Sequence, residues 1–264
     1  MKVAWVTGAS SGIGEALVHK LVREGWCVLA FARRRQRLDS LAVHYPQQVL
    51  PFVGDVTKEA DCEAAVTAVL NRFGTLHAVI ANAGISMRAL VEESRKEVLR
   101  EVMEVNFWGA IHTIRAALPV IRQNQGWIVG VSSIAGFRGL PARSAYSASK
   151  FALNGFLEAL RVELRPAGVR VLIAAPGFTR SEIREKALTA SGLPQAESPL
   201  PEDKLMSAEA VAEAIYHAMM RGQKYLVLTW EGRLVRWLNC MVPGWLDKVL
   251  YKRFATEAGS PMVR

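Results

Sequence analysis

Short apolar runs alternate with longer stretches of helical spacing along most of the chain. Val3–Val6, Cys27–Ala32, Val49–Val53, Ala78–Ala81, Trp127–Val131, Val169–Ala175 and Tyr225–Leu228 are brief and continuously hydrophobic, with glycine or proline nearby. Strands covered on both faces read this way, because neither side of the pleat meets water. Between them, Ile13–Glu24, Lys58–Phe73, Lys96–Ile121, Ser144–Leu164 and Ala208–Met220 carry apolar residues with the period of an amphipathic helix. This alternation predicts an α/β architecture: a doubly wound, parallel seven-stranded sheet with helices on both faces and right-handed crossovers.

Two segments break the rhythm. Phe178 to Met206 joins a strand to a helix through a long stretch holding Gly192, Pro194, Pro199 and Pro201. A connection of that length in a compact domain is usually functional, and a lid is expected at about 178–206. After Leu228 the sheet is complete, yet a Trp-rich, basic, partly helical segment continues to the end.

Composition narrows the classes. A chain of 264 residues, 51% hydrophobic and 22% charged, suits one packed α/β domain and argues against disorder. Cys27, Cys62 and Cys240 are scattered without metal-type spacing, so they read as reduced thiols and no metal is expected. The opening apolar run is too short for a signal-peptide core, and no stretch approaches the ~20 apolar residues of a membrane span. A cytoplasmic protein is expected.

The net charge of +9 raises nucleic acid as a partner, but no recognised nucleic-acid motif is present and none is expected. Part of the excess has another use, since Arg33, Arg34, Arg35 and Arg37 crowd one turn where a cofactor phosphate can sit. Another part lies in the tail, where basic residues are interleaved with Trp230, Trp237 and Trp245. That mixture fits a peripheral membrane contact, and equally a helix packed on a partner subunit.

The chemistry begins at Thr7-Gly8-Ala9-Ser10-Ser11-Gly12-Ile13-Gly14, directly after the first strand and opening the first helix. Gly8 permits a sharp turn, Gly12 lets the backbone approach a pyrophosphate, and Gly14 allows close helix packing. Ser10, Ser11 and Ile13 complete the loop, and the helix N-terminus supplies oriented N–H groups. At the end of the second strand, Phe31-Ala32-Arg33-Arg34 has no acid to bond ribose hydroxyls. A guanidinium there grips a 2′-phosphate with two parallel bonds, so NADP(H) is the expected cofactor. Ser133 is followed by Tyr146 thirteen residues on and by Lys150 four further on. Tyr146 and Lys150 share a helix face. An ammonium one turn away is expected to lower the phenol's pKa from its usual value near 10. Composition alone would produce the whole triplet only about 0.01 times in such a chain.

With these residues in hand, the chain resembles the short-chain dehydrogenase/reductase superfamily in its compact form, over nearly everything from Lys2 to about Leu228. The resemblance implies a Rossmann-type domain over 1–228 and a basic extension over 229–264, packed on that domain, a partner or a membrane. It adds Asn106 to Ser133, Tyr146 and Lys150 as a catalytic tetrad. It assigns Asn82-Ala83-Gly84 to steadying the sheet beside the cofactor, and Asp55-Val56 to holding the adenine. Pro176-Gly177 matches the motif before the nicotinamide carboxamide contact; Ser181 stands where threonine is usual, with Thr179 as a nearby second hydroxyl. Lys150 is implied to bind the nicotinamide ribose.

The implied activity is hydride transfer between NADPH and a carbonyl or secondary alcohol. Ile85, Met87, Ile134, Phe137 and Pro141, with Phe178, Ile183, Leu188 and Leu193 of the lid, are candidate pocket walls. Their apolar character points to a bulky hydrophobic ketone or alcohol. The basic, amphipathic tail resembles the C-terminal extensions of family members that handle steroid, retinoid or lipid ketones at membrane surfaces, which implies a substrate of that kind. A homodimer or homotetramer is implied too. A catalytically silent NADPH-binding regulatory or scaffold protein of the same fold is the alternative.

Overall fold

The computed structural model describes residues 1–196 and 205–262. Pro199 and Pro201 of the expected lid lie outside the described residues.

Seven strands form one parallel sheet: β1 (Lys2–Thr7), β2 (Trp26–Ala32), β3 (Val49–Val53), β4 (Ala78–Ala81), β5 (Trp127–Val131), β6 (Arg170–Ala175) and β7 (Tyr225–Val227). They lie in the order β3-β2-β1-β4-β5-β6-β7, so the winding reverses between β1 and β4. In such sheets the crevice outside the carboxyl ends at that reversal is where ligands bind.

Each strand feeds two cores because successive side chains point to opposite faces. Ala4, Val6, Val28, Ala30 and Ile80 pack on one side with Leu17 and Leu21 of α1 (Gly12–Arg23). Leu38 of α2 (Arg35–His44) and Ile215, from a helix defined next, join that layer. Trp5, Leu29, Phe31, Val79 and Ile128 pack on the other. Their partners there are Val69 of α3 (Glu59–Phe73) and, from helices defined next, Ile114 and Leu157.

The stretch expected as one helix over Lys96–Ile121 is α4 (Lys96–Met103), a π-turn over Glu104–Trp108, and α5 (Gly109–Gln123). The next two helices are α6 (Ser144–Glu163) and α7 (Ala208–Met220). Helix α2 carried no clear apolar stripe in the sequence, and only Leu38 and Leu41 of it are buried, so tertiary packing decides it. Beyond β7 come α8 (Trp230–Met241) and α9 (Pro243–Ala255). Leu246, Leu250 and Phe254 of α9 are buried against Leu140 and Phe178, so the tail folds back over the segment after Gly177. Among the described residues no helix is long and apolar enough to cross a membrane.

Candidate active site

The glycine loop leaves β1 at the sheet's reversal. Gly8 and Gly12 have φ of +66° and +54°, the left-handed region in which a side chain is strained. Gly14 is required by space: a Cβ there would lie 2.1 Å from the Gly8 carbonyl oxygen. Ser11 precedes α1 but makes no side-chain cap, so the first N–H groups of the helix, at Gly12, Ile13 and Gly14, face the crevice without one. Those donors suit an anionic pyrophosphate.

The next strand braces this loop. Thr7 Oγ1 accepts from the backbone N–H groups of Asn82 (3.0 Å) and Ala83 (3.1 Å), and Asn82 Nδ2 donates to the Thr7 carbonyl (2.9 Å). The ends of β1 and β4 are thereby fixed at a set separation. Gly84 follows, where a Cβ would lie 3.1 Å from Asn106 Oδ1 and 3.7 Å from Lys150 Nζ.

The two arginines expected together at a phosphate are separated. Arg33 is exposed and its guanidinium lies 3.9 Å from Asp55 Oδ2. Asp55 Oδ1 also accepts from Thr57 N and Oγ1, both at 3.0 Å, which fixes the turn after β3. Val56 beside it is buried, and its carbonyl is hydrogen-bonded to His112 at 3.0 Å. Arg34 instead folds over the glycine loop. Its Nε donates to Ser10 Oγ (3.1 Å), and its Nη2 donates to the Ser10 carbonyl (3.2 Å) and to Ser11 Oγ (2.6 Å). Its Nη1 donates to Glu182 of the lid at 2.7 Å.

Ser133 stands just past β5 and Tyr146 and Lys150 lie on α6, and the fold brings all three to one place. Ser133 Oγ accepts from Ala135 N at 3.1 Å, which holds its side chain at the mouth of a short 3₁₀ turn. A hydrogen bond from the Ser133 hydroxyl works to lower the Tyr146 pKa, but burial outweighs it and holds the phenol above its ordinary value. The expectation that lysine would pull it down is corrected on this point: desolvation of the phenolate dominates, followed by Ser133 and then Arg143. Lys150 Nζ lies 5.8 Å from the centre of the Tyr146 ring and donates to the Val131 carbonyl at 2.9 Å. The ammonium has three N–H donors, so this buried group retains capacity for hydroxyl partners. Burial pushes its pKa down to about 8.

Asn106 occupies the π-turn, a device frequent at functional sites. Its Oδ1 accepts from Ile85 N (2.8 Å), and its Nδ2 donates to the Ile85 carbonyl (2.9 Å) and to Ser149 Oγ (3.0 Å). Both Nδ2 donors and one acceptor site are thus committed as a brace between the Gly84–Ile85 turn and α6. Pro176 is buried and Gly177 packs on Thr229. Of the two hydroxyls just after Gly177, Thr179 is buried and donates to the Gly177 carbonyl at 3.0 Å. Ser181 reaches the glycine loop: a Cβ built on Gly12 would come 3.0 Å from its own.

The candidate pocket walls divide. Met87 is fully buried with Val98, Val102, Ala145 and Leu188, and its backbone bridges that of Leu188, so both residues fasten the lid to the body. Leu193 is 67% exposed and stands outside that buried cluster among the described residues. Ile134 contacts the position of Gly232, Phe137 lies beside Tyr225 under Arg236, and Phe178 joins the tail cluster. The tail therefore forms much of the apolar surround that the sequence assigned to the body.

A further group escaped the sequence. Glu257 Oε2 binds Arg143 Nη2 at 2.9 Å and lies 3.5 Å from Arg88 Nη2, and all three side chains are at least nine-tenths buried. Arg143 stands immediately before α6, three residues from Tyr146. Its partner is 114 positions away, and no local pattern pairs them.

A family model described as short chain dehydrogenase matches residues 2–191. An 11-beta-hydroxysteroid dehydrogenase A of Sesamum indicum is 32% identical, covering 98% of this chain and 77% of the relative. Among solved structures, a short-chain dehydrogenase of Streptomyces avermitilis superposes with a TM-score of 0.79 at 30% identity, covering 95% of this chain and 94% of that one. An alcohol dehydrogenase of Thermococcus sibiricus, complexed with 5-hydroxy-NADP, gives 0.74 at 29% identity and covers 86% and 96%. The reversal-point crevice, the glycine loop braced by Thr7 and the Ser133–Tyr146–Lys150 cluster agree with these likenesses: the chain belongs to the short-chain dehydrogenase family.

Proposed function

We propose that this oxidoreductase uses NADP(H) to interconvert a carbonyl and a secondary alcohol on a bulky hydrophobic substrate, with Tyr146 as the proton-transfer group. The observation that carries the reading is the convergence of Ser133, Tyr146 and Lys150 beside the Gly84 turn. NADPH supplies the hydride when bound. The uncapped N–H groups of Gly12, Ile13 and Gly14 would hold its pyrophosphate, and Arg33 and Arg34 flank the place for the adenosine 2′-phosphate. Asp55 and Val56 would border the adenine, and Asn82, Ala83 and Gly84 the nicotinamide side. Pro176, Gly177, Thr179 and Ser181 carry the lid across it.

Tyr146 is held as a neutral phenol by burial, which suits it to donate a proton to a developing alkoxide. Ser133 would hydrogen-bond the same oxygen. Lys150, with donors to spare, would hold the nicotinamide ribose hydroxyls. Asn106 keeps α6 and the Ile85 turn in register and positions the other three.

The apolar character of Ile134, of Phe137 beside Tyr225, and of Phe178 packed with Phe254 supports a lipophilic substrate. So does the likeness to steroid dehydrogenases, as their names describe them. Trp230, Trp237 and Trp245 are 69%, 61% and 55% exposed among basic residues of α8 and α9, which supports a contact with a membrane surface. Exposed Trp108 on the π-turn and exposed Phe151 and Val162 on α6 support a homo-oligomer through that face.

The test is NADPH oxidation against ketones from short-chain to steroid and long-chain lipid, with Tyr146→Phe beside the wild type. The variant is expected to bind NADPH normally and to turn over about 10²–10⁴-fold more slowly. Near-normal turnover would refute the role of the phenol. Co-sedimentation with anionic vesicles, lost on replacing the three tryptophans by serine, tests the membrane contact.

A further inference from the structure

One acidic side chain of the lid spans the cofactor crevice. Glu182 Oε2 accepts from Arg34 Nη1 at 2.7 Å and from Lys186 Nζ at 2.5 Å, while its Oε1 lies 3.7 Å from Arg37 Nη2. Hydrogen bonds from Lys186 and then Arg34 hold its carboxyl down to about 2, so it is ionised at any physiological pH. Three cations around one carboxylate leave an excess of two positive charges. A phosphate monoester carries close to that charge with opposite sign at neutral pH.

The hydrogen-bond inventory of Arg34 makes this more than proximity. A guanidinium has five N–H donors. Nε and both Nη2 donors go to Ser10 and Ser11, and one Nη1 donor goes to Glu182. Among the described residues a single donor remains, whereas a bidentate grip on phosphate needs two parallel ones. The serine bonds shape the glycine loop itself, so the Glu182 bond is the one that can be exchanged without disturbing it. The neighbouring Ser181 rests against Gly12, so the same short piece of lid covers the pyrophosphate end of the crevice.

We infer that Glu182 is an internal occupant of the 2′-phosphate subsite, competing with the cofactor phosphate for Arg34. Release of the lid at Glu182 and binding of the 2′-phosphate are then one exchange, and the competition costs the phosphate-bearing cofactor part of its affinity. A ligand with a 2′-phosphate displaces the carboxylate and frees the lid at Glu182, whereas a ligand without it leaves the lid tied to the glycine loop. The inference rests on the NADP(H) reading above.

Calorimetric titration of the full-length chain and of Glu182→Gln with 2′,5′-ADP and with 5′-AMP tests it. The wild type is expected to prefer 2′,5′-ADP. The variant should bind 2′,5′-ADP roughly tenfold more tightly, the scale of one charge-assisted bond no longer broken, with 5′-AMP unchanged. Equal or weaker binding of 2′,5′-ADP by the variant makes Glu182 a support for Arg34 and overturns the competition, leaving the NADP(H) reading intact. Equal tightening of both ligands reduces the effect to a looser lid and overturns the competition at the 2′-phosphate. If neither protein prefers 2′,5′-ADP, the NADP(H) reading fails and the competition with it.

Discussion

Replacing Thr7 by valine isolates the contact on which the crevice is built. The side chain is 1% exposed at the end of β1, and valine has nearly its shape, so no cavity opens. What is lost is an oxygen that accepts two backbone N–H groups, from Asn82 at 3.0 Å and Ala83 at 3.1 Å. The hydroxyl's own bond to the Ile80 carbonyl is long, at 3.4 Å, and adds little. A buried donor stranded in this way costs about 1–3 kcal/mol. Asn82 and Ala83 are half-buried, and water recovers part of that, which places the total at about 2–3 kcal/mol. For a chain of this size the melting temperature should fall by roughly 5–10 °C.

Urea unfolding, followed by fluorescence of the buried tryptophans, should show a lower midpoint at an unchanged slope, since the surface exposed on unfolding is the same. Dinucleotide binding should weaken in parallel, because the loop and the Asn82 turn lose their common anchor. A loss below about 0.5 kcal/mol would mean that water already serves those N–H groups, and the argument for a hydroxyl-braced crevice would fail.

Lys150→Met should stabilise the protein while abolishing turnover. The ammonium is 4% exposed, its pKa is down to about 8 from 10.5, and methionine removes its desolvation cost while stranding only the Val131 carbonyl. A net gain of about 1–2 kcal/mol at pH 7 follows. Because the folded pKa is depressed, the unfolded chain holds the extra proton between about pH 8 and 10.5, so the wild type recovers stability as pH rises through that window. Chemical unfolding at pH 7 and pH 10 should therefore show the variant's advantage shrinking, and a constant difference would contradict the desolvation argument. Glu257→Gln leaves two buried guanidiniums without their carboxylate and should cost about 3–5 kcal/mol, read as an early thermal transition. A fully stable Glu257→Gln would show that the tail is held by its apolar contacts alone.

The elements whose information is local were legible in the sequence. The seven apolar runs became the seven strands because a strand covered on both faces needs hydrophobic residues at every position. Gly8 to Gly14 form one turn, and Tyr146 and Lys150 sit one helical turn apart, so spacing alone placed each group. The meeting of Ser133 with Tyr146 follows once parallel crossovers bring the end of β5 and α6 to the same sheet edge, whereas the order of the strands came only from the tertiary structure.

Other features rest on pairs distant in the chain, which no periodicity carries. Arg34 meets Glu182 across 148 positions, so an arginine expected to await a phosphate is instead committed to the lid. Met87 could equally have faced a pocket or the body, and only the Leu188 bridge turned it inward. The π-turn at Asn106 is invisible to a 3.6-residue pattern because one extra residue per turn leaves the apolar spacing on either side nearly intact. The sequence by itself determined the sheet, the nucleotide loop and the reacting side chains, since each is specified within a few neighbouring residues. Tertiary structure alone decided the charge partners, the burial that raises Tyr146 and lowers Lys150, and the tail's place over Phe178. Electrostatic pairing and desolvation depend on what surrounds a group in space, and a chain folded through long crossovers draws those surroundings from its whole length.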